Sequence, residues 1–350
     1  MSDRVRLASV GLGRWAKVLA RAALRSSVIE LTGCFSRDEQ RRGAFAKEFG
    51  ISRVAATYKE LLADDAVEGV IVTTPNDTHK AVIVEALEAG KSVYTDKPIA
   101  HTLQDAMAIA AAVRSSGRVF SVGHSARRLA GHRQMKSWLE EGRMGEISLA
   151  EANFSNERGL ELTEKTWRFY ADKSPGGSLI QLGVHHADNL QFLLGPVRSV
   201  NANVKRLFTR AEVPDATMVL CEFERGCLGY LGCGWASPGV YSMNLLGTKA
   251  NLFYDLDFTH WDESHTADKY STLRSQFYGE SERSQVELPP SDMFLEQLDE
   301  FGLAIRGESA VEVGANEAIR ALAVVAAALE SARREGRSVE VEEVIAAAAT

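Results

Sequence analysis

Arg4-Val5-Arg6-Leu7-Ala8-Ser9-Val10-Gly11-Leu12-Gly13-Arg14-Trp15-Ala16 reads as a strand that runs straight into a glycine-rich turn. Lys17 to Arg25 continues it as a helix. Gly11, Gly13 and Ala16 form the pattern G-x-G-x-x-A in the strand–turn–helix setting that a dinucleotide fingerprint requires. Gly11 permits the tight turn, Gly13 lets the backbone approach a pyrophosphate, and Ala16 leaves room for helix and strand to pack. The helix N-terminus offers unspent N–H groups to the phosphates. Gly11, Gly13, Arg14 and Trp15 are therefore the first candidate cofactor contacts.

The second strand, Ile29 to Phe35, ends in Ser36-Arg37-Asp38. A NAD-specific fold usually places an acid there, bonded to the ribose 2′-OH. Ser36 and Arg37 instead suit a 2′-phosphate, by hydroxyl bonding and guanidinium pairing. Asp38 reads as the N-cap of the helix Glu39–Phe49. NADP is thus the preferred coenzyme and NAD the alternative. Val67 to Val72 is another strand, followed by Thr73-Thr74-Pro75-Asn76-Asp77-Thr78-His79. This loop leaves the carboxyl end of a strand, where open α/β sheets hold ligands, so Thr74, Pro75 and Asn76 should border the coenzyme. His79 is expected to bond the loop backbone rather than to act in catalysis.

Ala86 to Val93 reads as a helix end, a turn at Gly90 and a short buried strand, which delivers Tyr94-Thr95-Asp96-Lys97-Pro98. Pro98 disfavours helical geometry at Lys97, so the lysine is held extended or turning. At the carboxyl end of a parallel strand it can face a nicotinamide ring and a substrate hydroxyl together. Taken alone, Lys-Pro is equally a surface lysine before a turn. Asp96 and Lys97 join the cofactor candidates, and Lys97 is also the first catalytic candidate. A helix at Leu103–Ser116 and a strand at Val119–Gly123 complete the alternation. The pattern predicts a doubly wound parallel sheet of the Rossmann kind over residues 1–125. His124, just past the last strand, is a weaker candidate for substrate contact.

The chain has 350 residues, enough for two domains, with a second domain expected at 126–350. Its formal net charge of −7 argues against a nucleic-acid partner. No apolar run approaches a membrane span. Val5–Val10 reads as a strand rather than as part of a signal peptide. Cys34, Cys221, Cys227 and Cys233 lack metal-type spacing and lie in apolar strand contexts. Buried free thiols, a reducing cytoplasm and no metal are expected.

Gly11–Ala16, Thr74-Pro75-Asn76 with His79, and Ala89-Gly90-Lys91 leading to Asp96-Lys97-Pro98 together resemble the glucose–fructose oxidoreductase/inositol dehydrogenase (Gfo/Idh/MocA) family. A fourth stretch, Gly176 to Asp188, resembles its second signature. The likeness covers nearly the whole chain in order. It is specific for the family and unspecific for the substrate. The chain departs from the pattern at Asp96, where the family usually has Glu, and at Gln181, where it often has Asp.

In the second half, Arg128 to Gly142 reads as a helix. Strands are expected at 148–154, 197–206, 217–223, 227–235, 242–247 and 251–256, with a hairpin turn at Glu224-Arg225-Gly226. Strands in succession suggest a largely antiparallel sheet. The resemblance implies the same, an open sheet with one face on helices and the other used for a homo-oligomer, dimer or tetramer. Gly177–Leu194 should be a helix on which Gln181, His185 and Asp188 share a face by their spacing of four and three. The resemblance marks His185 as catalytic and Asp188 as a cleft carboxylate. Gln181 cannot take a proton, but it can orient a hydroxyl. Trp167-Arg168 could hold a polyol or carboxylate at a cleft rim, or the Trp could simply pack at the domain junction. His186 points elsewhere and reads as structural. Thr259 to Ser284, which includes Trp261, reads as a long polar excursion. Helices at 292–305 and 317–334, free to pack back on the first domain, close the chain.

These residues describe an NAD(P)-dependent dehydrogenase or reductase for a sugar, polyol or related cyclic alcohol. His185 would be the general base, and Lys97 would stabilise the developing alkoxide. The alternatives are an aromatic dihydrodiol or ring-derived hydroxy acid as substrate, or an NADP-sensing protein without turnover.

Overall fold

The computed structural model describes residues 4–257, 259 and 264–349. Trp261 lies outside them. The chain divides into two compact units, Met1–Ser125 with Phe294–Ile319, and Ala126–Met293 with Arg320–Thr350.

The first unit alternates strands and helices. They are β1 (Val5–Val10), α1 (Arg14–Ala23), β2 (Ile29–Phe35), α2 (Glu39–Phe49), β3 (Arg53–Val54), α3 (Tyr58–Leu62), β4 (Gly69–Val72), α4 (His79–Glu88), β5 (Ser92–Asp96), α5 (Leu103–Ser116) and β6 (Phe120–Gly123). Among the described residues the sheet has six strands in the order β3-β2-β1-β4-β5-β6, and the pairs are parallel. β4 and β6 are buried along their whole length, as expected of strands covered on both faces. Local chemistry sets the helix ends. Asp38 accepts the Arg41 N–H at 3.0 Å to cap α2, and Thr102 accepts the Asp105 N–H at 3.2 Å to cap α5. Ala16 and Ala20 of α1 pack with Phe45 and Phe49 of α2 around Leu12 and Cys34. The later segment Phe294–Ile319 supplies Phe301, whose ring lies 6.0 Å from that of Tyr94, and a Val313 carbonyl that accepts the Val122 N–H at 2.9 Å.

The second unit is built on α6 (Ala130–Glu140) and a nine-stranded sheet. Its strands are β7 (Ile147–Ser155), β8 (Val197–Lys205), β9 (Ala216–Phe223), β10 (Leu228–Gly234), β11 (Val240–Gly247), β12 (Ala250–Leu256), β13 (Ser271–Phe277), β14 (Ser284–Val286) and β15 (Val339–Glu340). Their order among the described residues is β14-β13-β12-β11-β7-β10-β9-β8-β15. Only the β10–β7 pair is parallel there, so the sheet is largely antiparallel. β9 shows the alternation of a sheet with one covered face. Thr217, Val219 and Cys221 are buried, while Met218 and Leu220 are exposed. Two expectations change here. The polar stretch 259–284 contains a true strand, β13, with only Leu273 and Ser275 buried. Residues 179–183 wind as a wider π-type turn before the α-helix Val184–Leu194. All four cysteines are free and buried. No helix among the described residues is long and apolar enough to cross a membrane.

Candidate active site

In the first unit, the glycine turn lies where the strand order reverses, between β1 and β4. Gly11 has φ +85°, and a Cβ there would lie 2.7 Å from Thr74 Cγ2 and 2.9 Å from Thr74 N. Glycine is required by both backbone and space. The turn is tied to the next loop by Thr73 Oγ1, which donates to the Gly11 carbonyl at 2.5 Å. Gly13 is the opposite case. A Cβ there would meet nothing within 4 Å. Gly13 precedes α1 with no side-chain cap, and the first turn of α1 carries no acidic residue. Open space in front of uncapped N–H groups is what a diphosphate needs. Trp15 Nε1 and Asn76 Nδ2 are buried without a hydrogen-bond partner among the described residues, two unspent donors on the segments that flank the turn. Trp15 packs edge-on against Phe294 at 5.2 Å. These features fit a dinucleotide.

At the end of β2, Ser36 Oγ accepts the Asp38 N–H at 3.4 Å. Arg42 Nη1 donates to the Ser36 carbonyl at 2.7 Å, which fixes the turn. Arg37 is exposed. After β4, the Thr78 hydroxyl donates to the Pro75 carbonyl at 2.7 Å and lies within hydrogen-bond distance, 2.8 Å, of Thr74 Oγ1, whose hydroxyl can donate back to it. His79 opens α4 and is fully buried. Its Nδ1 lies 3.0 Å from the Pro98 carbonyl and its Nε2 3.0 Å from the Thr74 carbonyl. Burial pulls the His79 pKa below its ordinary value, against the opposing pull of those carbonyls and of Asp77. Asp96 and Lys97 are half-buried at the carboxyl end of β5, and the Lys97–Pro98 peptide is cis. His124 is buried just beyond β6. The structure therefore gathers Gly11, Thr74, Pro75, His79 and the Lys97 loop just past the carboxyl ends of β1, β4 and β5.

In the second unit, Gln181 sits in the π-type turn and is held from two sides. Its Oε1 accepts from Arg168 Nε at 3.1 Å, and its Nε2 donates to Ser174 Oγ at 3.3 Å. The Arg168 guanidinium lies 4.3 Å from the Trp167 ring centroid. His185 is 5% exposed and packs against Phe154, with ring centroids 5.5 Å apart. Asp188 is gripped by Arg127, with Nε at 2.6 Å from Oδ2 and Nη2 at 2.6 Å from Oδ1, and both residues are buried. Arg127 and Ser174 carry no motif of their own, and Arg127 is 61 residues from its partner in sequence. His186 is buried among Phe154, Tyr241 and His132. Burial, and then the neighbouring His132, lower its pKa to about 3. Burial likewise lowers His132 to about 4.

Residues 5–124 match the oxidoreductase family with an NAD-binding Rossmann fold, and residues 132–253 match the GFO/IDH/MocA C-terminal domain. The chain is 28% identical to 1,5-anhydro-D-fructose reductase of Ensifer adhaerens over 95% of its own length and 99% of the relative's. It is 26% identical to the NAD⁺-linked scyllo-inositol 2-dehydrogenase of Bacillus subtilis over 72% and 74%. A solved structure from Desulfitobacterium hafniense, assigned provisionally as an NADPH-dependent oxidoreductase, is 43% identical. It superposes with a TM-score of 0.95 over 99% of this chain and 100% of the other.

Proposed function

The chain belongs to the GFO/IDH/MocA oxidoreductase family, and from that premise we propose that it moves hydride between a nicotinamide coenzyme and a sugar, polyol or related cyclic alcohol or ketone. The observation that carries this is the Gly11–Gly13 turn, packed against Thr74 on one side and open before α1 on the other. The curated relatives named for anhydrofructose and inositol support the substrate class. When bound, the coenzyme supplies the hydride-accepting chemistry. Gly11, Gly13, Arg14, Trp15, Thr74, Pro75, Asn76 and Asp96 hold it in this assignment, and His79 serves the same site from behind, through the backbone of the Thr74 loop. Ser36 and the unburdened Arg37 favour NADP over NAD, and the Desulfitobacterium relative points the same way.

Oxidation of an alcohol must also remove a proton from oxygen. His185 takes that proton as general base, since imidazole titrates nearest neutrality. The Lys97 ammonium stabilises the developing alkoxide. Arg168 and Gln181, each already oriented, present donors and acceptors to substrate hydroxyls beside the Trp167 ring. Asp188 acts through the Arg127 pair, and His124 is assigned a substrate contact. Copies of the chain associate through the open sheet face, supported by Met218, Leu220 and Leu228 at 56%, 57% and 54% exposure. A cytoplasmic location is supported by the four buried free thiols. The test is absorbance at the reduced-nicotinamide band with a panel of sugars and polyols. Substrate-dependent change is expected, and tight coenzyme binding with no change across the panel would leave a binding protein instead.

A further inference from the structure

His79 joins two loops that leave adjacent parallel strands. One, after β4, carries Thr74 and Asn76. The other, after β5, carries Lys97. The strands pair in register, Val72 with Thr95. The imidazole spans the gap between their loops. Nε2 is 3.0 Å from the Thr74 carbonyl, and Nδ1 is 3.0 Å from the Pro98 carbonyl and 3.3 Å from that of Ile99. The ring is 1% exposed and opens α4, so its own backbone is anchored as well. Its two polar atoms face different loops, and in the neutral ring one of them donates while the other lies in contact. A packing residue in this place would not need them aimed at separate segments.

We propose that His79 is a positioning residue that fastens the lysine loop to the coenzyme loop, so that the segment cradling the coenzyme also sets where the Lys97 amine stands. This rests on Lys97 being the reacting amine. Lost ring contacts would let the Lys97 loop take its own position, and coenzyme arriving at Thr74 would no longer be felt at Lys97.

The experiment uses the full chain carrying ¹³C-methylated lysines, with the Lys97 signal identified by its loss in Lys97→Arg. Wild type, His79→Phe and His79→Gln are titrated with acid and base, with and without NADPH. His79→Phe keeps a ring and loses both nitrogens, while His79→Gln keeps one donor and one acceptor and carries the test if the Phe variant does not fold. In wild type, NADPH moves the Lys97 signal. In His79→Phe, NADPH binding should hold within about threefold. The Lys97 titration midpoint should shift by roughly half a unit or more. The response of Lys97 to NADPH should be lost, with His79→Gln falling between. An unchanged Lys97 titration and an unchanged NADPH response in folded His79 variants would overturn the proposal. Should wild type bind neither NADPH nor NADH, the oxidoreductase assignment fails, and the coenzyme-free titration still decides the role of His79.

Discussion

Asp188 and Arg127 show how a residue's part depends on what it meets. By the family resemblance, Asp188 reads as a cleft carboxylate on the helix face it shares with Gln181 and His185. In the structure both of its oxygens are held by one guanidinium, 1% and 8% exposed at the two side chains. A buried carboxylate stripped of the Arg127 guanidinium is costly, and removing one member of such a pair typically costs ~3–5 kcal/mol. Arg127→Leu should therefore lower the denaturant midpoint sharply, and Asp188→Asn added to it should restore part of the loss. Equal stability of wild type and Arg127→Leu in urea titration would show that the pair is not what holds this core. Sequence reasoning found Asp188 and not Arg127, because the pairing is made by tertiary structure and neither spacing nor composition signals it. Gln181 is similar. Its type was visible, but its fixed orientation between Arg168 and Ser174 was not.

At the scale of elements, the strongly patterned pieces were legible and the weakly patterned ones were not. β4 is an apolar run, and β1 and β5 are short, largely buried strands, each ending in a recognisable turn. β13 reads Ser-Thr-Leu-Arg-Ser-Gln-Phe, and its place comes from pairing with β12 and β14 rather than from an apolar face. The π-type turn at 179–183 has no sequence period of its own, and such turns recur at functional sites. The helices α6 and Val184–Leu194 also bury His132 and His186 against Tyr241. Both folded-state pKa values are depressed, to about 4 and about 3, while the unfolded histidines titrate near 6.5. Above pH 6.5 the two states are alike and the stability is whole. Below it the unfolded chain takes protons that the native core refuses, so stability falls as pH drops toward the native values. Each histidine adds a slope of ~1.4 kcal/mol per pH unit in that window. His186→Phe should flatten the curve by about one such slope. Urea midpoints measured from pH 7 to pH 4.5 check it, and an unaltered slope in the variant would mean that His186 is already protonated in the folded state.

At the scale of the whole molecule, the two-part plan was legible because each half has its own period, strands alternating with helices and then strands in succession. The return of Phe294–Ile319 to the first unit is set by packing, for example of Phe301 on Tyr94, and the sequence left open which domain these helices join. The open sheet face carries Leu220 and Met218 on β9 beside Leu228 on β10, more apolar surface than a single copy gains from exposing. Light scattering on the purified chain should give a dimer or larger. Leu220→Arg should shift it toward monomer without unfolding it, and a monomeric wild type would remove the sheet face as an interface.

In the proposed reaction Lys97 is the group on which the redox chemistry turns, and its removal is the most direct measurement. Steady-state turnover of Lys97→Ala on the best sugar or polyol substrate, with NADPH and NADH dissociation constants measured alongside, separates chemistry from binding. Turnover should fall by roughly two orders of magnitude or more while coenzyme affinity stays within a few-fold of wild type. Near-normal turnover in Lys97→Ala would contradict the assignment of the amine to the reacting oxygen.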